Sequence, residues 1–166
     1  MLQLYPTTHL IGKNARAVFC SVLLGKGNST IDIGSRIFLK AEGTKAEVIS
    51  RAVAQDSSKI YARGHLIGEV PGVKAHLECR GLVLSPKAMI DAIPELEAKT
   101  ENLEMSHEAA VGKIAEKEIL YLMARGLSEK EATSAIIRGF LKVDLEGLPD
   151  KLMDEIRKIM EMELSG

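Results

Sequence analysis

The chain has 166 residues, 46% hydrophobic and 27% charged, enough for one domain with a core, or for one domain plus a helical appendage. A formal net charge of −1 offers no basic surplus for a nucleic-acid partner, and no stretch approaches the ~20 apolar residues of a membrane helix. No basic-then-apolar leader opens the chain, and two cysteines, Cys20 and Cys79, make no disulfide framework, so both are expected to be thiols in a reducing cytoplasm.

In chain order, Ala15–Leu24, Thr30–Ala41, Ala46–Ala54, Lys59–Val70 and Val73–Leu84 are rich in Val, Ile and Leu and tend to alternate, which predicts strands. Turn signals part them at Gly25–Ser29, Glu42-Gly43-Thr44, Asp56-Ser57-Ser58, Pro71-Gly72 and Ser85-Pro86. From His9 to about Met105 little reads as helix. Regular strand spacing means a sandwich, a barrel or a solenoid.

Side-chain size favours the last. One face of Ala46–Ala54 carries Ala46, Val48, Ser50, Ala52 and Ala54, and the other Glu47, Ile49, Arg51 and Val53. One face of Val73–Gly81 carries Val73, Ala75, Leu77, Cys79 and Gly81, and the other Lys74, His76, Glu78 and Arg80. A face of small, mostly apolar residues backed by a bulky charged one suits coils stacked around a narrow lumen.

The pattern then changes. Ile119, Leu122 and Met123 form a short helical stripe that stops at Gly126, a natural C′ residue. Ser128 with Glu131 reads as a capping box, and Ala132, Ala135, Ile136 and Phe140 form a second apolar face. Pro149 suits a first helical position, with a third stripe at Met153, Ile156, Met160 and Leu164. The polar knot Ser106-His107-Glu108 marks the junction, so the expected division is 1–105 for the β part and 106–166 for the helical part.

At this junction the sequence resembles the SufB/SufD family, scaffolds of the SUF iron–sulfur cluster assembly system. The resemblance is carried by Met105-Ser106-His107-Glu108-Ala109-Ala110-Val111-Gly112-Lys113-Ile114, then Tyr121–Ser128, then Ala135–Phe140. It implies a mainly β fold with α, a right-handed parallel β-helix followed by a small C-terminal helical domain. It also implies a dimer formed through the β-helix with a second SufB/SufD-type protomer, homo- or heteromeric. A SufC-like ABC-type ATPase would dock on the helices, and a cysteine desulfurase would donate sulfur. Cys79 falls where the SufB branch carries its assembly cysteine. Glu108 falls on the SufB glutamate, and His107 on the histidine that matters in the SufD branch. Typical members are more than twice as long as this chain.

Each candidate has a plainer reading. Cys79 shares its face with Ala75 and Leu77 and suits a small lumen filler, or a thiolate for iron or sulfur. Ser106, His107 and Glu108 suit caps for unpaired amides, although imidazole and carboxylate are competent iron ligands. His107 and Glu108 are adjacent, so on a strand they point to opposite sides and meet at one site only if the chain turns there. Cys20 reads as structural, and His9, His65 and His76 form no metal-spacing motif. Gly126, Leu127, Ser128, Gly139, Phe140 and Leu141 are the ATPase-facing positions the resemblance implies.

One thiol, one imidazole and one carboxylate fall short of the four ligands a stable cluster takes, so a transient cluster completed by a partner's residues is the expectation. No Walker motif is present, so ATP hydrolysis is not expected of the chain itself. The rival readings are a SufD-like adaptor that binds partners without touching a cluster, and an enzyme. For the enzyme, Ile11-Gly12 and Ile33-Gly34 faintly resemble the hexapeptide acyltransferases, whose aliphatic-Gly unit returns every six residues.

Overall fold

The computed structural model describes residues 1–143, 149, 151–155 and 158. It falls into two compact units, Met1–Lys113 and Ile114–Gly166.

The first unit is a parallel β-solenoid. Its strands alternate between two sheets: β1 (Leu2–Leu4), β2 (Thr7–Leu10), β4 (Thr30–Leu39), β6 (Lys59–Gly68) and β8 (Met89–Ala98) in one, and β3 (Arg16–Gly25), β5 (Lys45–Ala54), β7 (Lys74–Val83) and β9 (Glu104–Gly112) in the other. Each coil stacks on the one before in strict register, so that Arg16, Lys45, Lys74 and Glu104 are aligned, as are Thr30, Lys59 and Met89. The offset is 29 residues until the turn at 84–88, which is one residue longer than those at 26–29 and 55–58 and makes the later offsets 30. This repeat is not the six-residue unit of the hexapeptide enzymes, and that rival loses its structural basis.

The turns entering the second sheet stack as well. Asn14, Gly43, Gly72 and Asn102 all have positive φ, a region that glycine enters freely and that asparagine tolerates. The chain bends at the same place in each coil because one of these two residue types stands there.

Small residues on the inward faces set the lumen's width. The expected small faces of β5 and β7 are the inward ones, and Ala46, Val48, Ala52, Ala75, Leu77 and Cys79 are all buried. Across the lumen a Cβ at Gly64 would run into Leu77 and come within 3.3 Å of Val48. Two apolar clusters result, one around Ile37, Val48, Leu66 and Leu77 and the other around Leu23, Ile33 and Ile60.

Strands β8 and β9 carry two corrections. The expected boundary at 105/106 lies instead at 113/114, because β9 runs straight through Ser106-His107-Glu108. The knot is therefore mid-strand, and the cap of α1 (Glu116–Met123) is Ala115, which makes no side-chain cap bond. Strand β8 gave little sequence signal because Pro94 interrupts it. The structure accommodates Pro94: Met89 N–H donates to Ser58 C=O, so the alternate positions that include Pro94 turn towards the free edge, where no donor is required.

In the second unit α1 packs on α2 (Glu129–Leu141). The capping box forms as the sequence suggests. Glu131 N–H donates to Ser128 Oγ at 3.3 Å, while Ser128 N–H donates to Glu131 Oε2 at 2.8 Å. On α2 the buried residues are Ala132, Ile137 and Leu141, with Ala135, Ile136 and Phe140 half-buried. The pairs Ile136-Ile137 and Phe140-Leu141 are adjacent, so helical period alone does not choose between their members. Of the third stripe, Met153 is half-buried, and Ile156, Met160 and Leu164 lie outside the described residues.

Candidate functional site

Cys79 owes its place to alternation along β7. Ala75, Leu77, Cys79 and Gly81 face the lumen, and Lys74, His76, Glu78 and Arg80 face out. The register stacks Ser21, Ser50, Cys79 and Ala109 in one lumen row. Cys79 is only 2% exposed. Burial pushes its thiol pKa up, and Glu78 adds to the push, while a Ser50 hydrogen bond and the Arg51 charge oppose it.

His107 lies in register with Leu77, and Cys79 with Ala109. His107 is thus on the lumen face, one step diagonally from Cys79 across the β7–β9 ladder. It is exposed because β9 is the last strand of its sheet and no further described strand stacks on it.

Glu108 is on the other face. It stands opposite Glu78 and is paired with Arg80 at 3.1 Å. The chain does not turn at the knot, so the three expected ligands do not converge within one chain. Among the described residues no group of three His, Cys, Asp or Glu is arranged to hold a metal. Two of the three share a face and the third is held away from them.

The remaining candidates are engaged elsewhere. Cys20 is half-buried on the outward face of β3, its thiol also pushed up by burial against the Arg51 charge. His9 stacks on Phe38 at 4.6 Å, His65 accepts from Arg36 Nε at 3.2 Å, and His76 Nδ1 lies 2.9 Å from Ser106 Oγ. No two of them meet.

In the helical unit Gly126 takes φ +96, Gly139 and Ser128 are exposed, and Leu127 and Phe140 are half-buried. Leu141 is buried at 2%, and it presents no free side chain to a partner. Lys117, Glu118, Tyr121, Leu122 and Ile136 line a groove of about 450 Å³. The Arg125 guanidinium lies 4.5 Å from the centre of the Tyr121 ring.

Sequence reasoning missed Ser21, Ser50 and Arg80. The signal was the spacing 21, 50, 79, which only a repeat of 29 residues makes legible.

Residues 1–140 match the model of the SUF system FeS cluster assembly SufBD core domain. The chain is similar to proteins named iron-sulfur cluster assembly SufBD family protein in several organisms. It is 56% identical to that of Methanothermobacter thermautotrophicus over 165 residues, 99% of this chain and 40% of that protein. It is 53% identical to that of Archaeoglobus fulgidus over 162 residues, 98% of this chain and 43% of that one. The counterpart from Staphylococcus saprophyticus is 31% identical over 164 residues, covering 98% of this chain and 35% of that protein. The chain therefore spans about two-fifths of the length of these relatives.

Proposed function

Because the chain belongs to the SufBD core family of the SUF iron–sulfur assembly system, we propose that it is a non-enzymatic cytoplasmic scaffold. It holds a nascent cluster, as cargo, between two protomers. The observation that carries this reading is the position of Cys79: one strand from the free edge of its sheet, on the same face as His107.

The edge supplies the means of pairing. Glu104 N–H donates to Val73 C=O, so in the parallel ladder Met105, His107, Ala109 and Val111 turn their backbone groups to the open side. An edge with no partner strand among the described residues is a template for a second chain. Pairing of β9 with a second SufB/SufD-type protomer brings a second His107 and Cys79 to the same joint and supplies the ligands one chain lacks. Thiolate and imidazole then hold the cluster, and the thiol proton is released as metal binds. Glu108 joins only after leaving Arg80.

The helical unit docks a SufC-like ATPase, which performs the conformational work. Gly126, Leu127, Ser128, Gly139 and Phe140 border the docking surface, and Leu141 supports it from beneath. A cysteine desulfurase supplies sulfur.

A second reading has its own support. A thiol 2% exposed, with its pKa raised by burial, is suited to packing, and a chain in which it only packs is a SufD-like adaptor. The test is anaerobic iron and sulfide reconstitution with the ATPase present, comparing wild type, Cys79→Ala and His107→Ala/Glu108→Ala. The scaffold predicts loading in wild type that both variants lose. Unchanged ATPase binding with no loading in any of them establishes the adaptor.

A further inference from the structure

The inward face of the β3–β5–β7 sheet is apolar except along one row. Around it stand Ala17 and Phe19, Ala46 and Val48, Ala75 and Leu77 on one side, and Leu23, Ala52 and Gly81 on the other. Between them lie Ser21, Ser50 and Cys79, with Ser21 at 8% and Ser50 at 6% exposure. The two apolar clusters of the core part at this level, Val48 and Leu77 belonging to one and Leu23 and Ala52 to the other.

A buried hydroxyl is unfavourable unless it is hydrogen-bonded. Ser21 Oγ donates to Ser50 Oγ at 3.1 Å. A hydroxyl has one proton, so Ser50, having accepted from Ser21, has its own to give. The next residue in the row is Cys79, one strand spacing away, and beyond it the Ala109 side chain offers no polar atom. A proton given by Ser50 along the row has the Cys79 sulfur as its acceptor.

We propose that Ser50, polarised by Ser21, is a positioning residue for Cys79: its hydroxyl donates to Sγ, fixes the sulfur within the lumen and tempers its electron donation to a metal. This rests on the reading of Cys79 as a cluster ligand. Hydrogen bonds to a ligating sulfur are a recognised means of tuning thiolate sites. A cooperative row strengthens the last bond in it.

The test uses the full chain, anaerobic, with cobalt(II) as the probe, reading the thiolate-to-metal charge-transfer band. Wild type is expected to show a band that Cys79→Ala lacks. Ser50→Ala should keep the band but move it to longer wavelength, because a sulfur without its donor gives up electron density more readily. Ser50→Thr, which restores the hydroxyl, should return it. Ser21→Ala should move it the same way by less, and serves alone if Ser50→Ala fails to fold. A band in Ser50→Ala and Ser21→Ala at the wild-type wavelength overturns the positioning role and leaves the Cys79 reading standing. Absence of any Cys79-dependent band in wild type overturns both.

Discussion

Glu108 lies directly across the β7–β9 ladder from Glu78, and Arg80 bridges the two, 2.6 Å from Glu78 and 3.1 Å from Glu108. Like charges in register on neighbouring strands repel, and Arg80, together with Arg51 at 2.7 Å from Glu78, offsets that repulsion. Strand alternation places the Glu108 carboxylate on the outward face, away from Cys79 and His107, and Arg80 holds it there. Arg80→Ala is expected to cost little stability, on the order of 0–1 kcal/mol, because its pair with Glu108 is exposed and Glu78 keeps Arg51, while freeing Glu108. Under the scaffold reading, iron loading in the variant is equal to or greater than wild type. Urea midpoints and iron content check the two halves, and a fall in loading without a fall in stability refutes the idea that Arg80 holds Glu108 back.

Gly64 faces Leu77 and Val48 across the lumen, with no room for a side chain. Gly64→Val overfills a close-packed interior, which typically costs 1–3 kcal/mol. Gly112→Ala is the control, since nothing lies within 4 Å of a Cβ there. Chemical denaturation should separate the two variants clearly.

Glu131 is held below the usual carboxylate range by hydrogen bonds from the Ser128 side chain and backbone. A depressed folded-state value means that its contribution is present above the unfolded pKa of about 4.3 and is lost as pH falls through the lower folded value. Helix content measured by circular dichroism should therefore decline in acid, and Glu131→Gln should flatten that part of the titration. An identical acid profile in the variant removes the capping box as its cause.

Gly139 sits inside α2 with open space around a would-be Cβ. Gly139→Ala is expected to stabilise the helix by about 0.8–1.0 kcal/mol. If the exposed strip beside Phe140 is the ATPase-docking surface, the same variant weakens co-purification of the ATPase even as its melting temperature rises. Those two readouts moving in opposite directions separate docking from folding.

The sequence made the solenoid legible where side-chain size was decisive. In Ala46–Ala54 and Val73–Gly81 the small face is the inward one, because a narrow lumen admits little else. Strands β8 and β9 were hidden for local reasons. Pro94 reads as a break, and Ala109-Ala110 suits a helix as well as a strand, whereas pairing with β6 and β7 decides both. The site was legible as residue types and not as an arrangement. That His107 shares a face with Cys79 while Glu108 does not depends on a register of 29 and 30 residues. No short motif encodes that register. The Ser21–Ser50–Cys79 row is invisible for the same reason.

Under the scaffold reading one chain lacks the ligands for a cluster and two chains together hold it. Native mass spectrometry of the anaerobically reconstituted protein, with the ATPase present, tests it directly. Iron–sulfur mass is expected on species containing two SufBD-type chains, and is expected to be lost in Cys79→Ala. Cluster mass on a single chain, or an unchanged loaded dimer in Cys79→Ala, would contradict it.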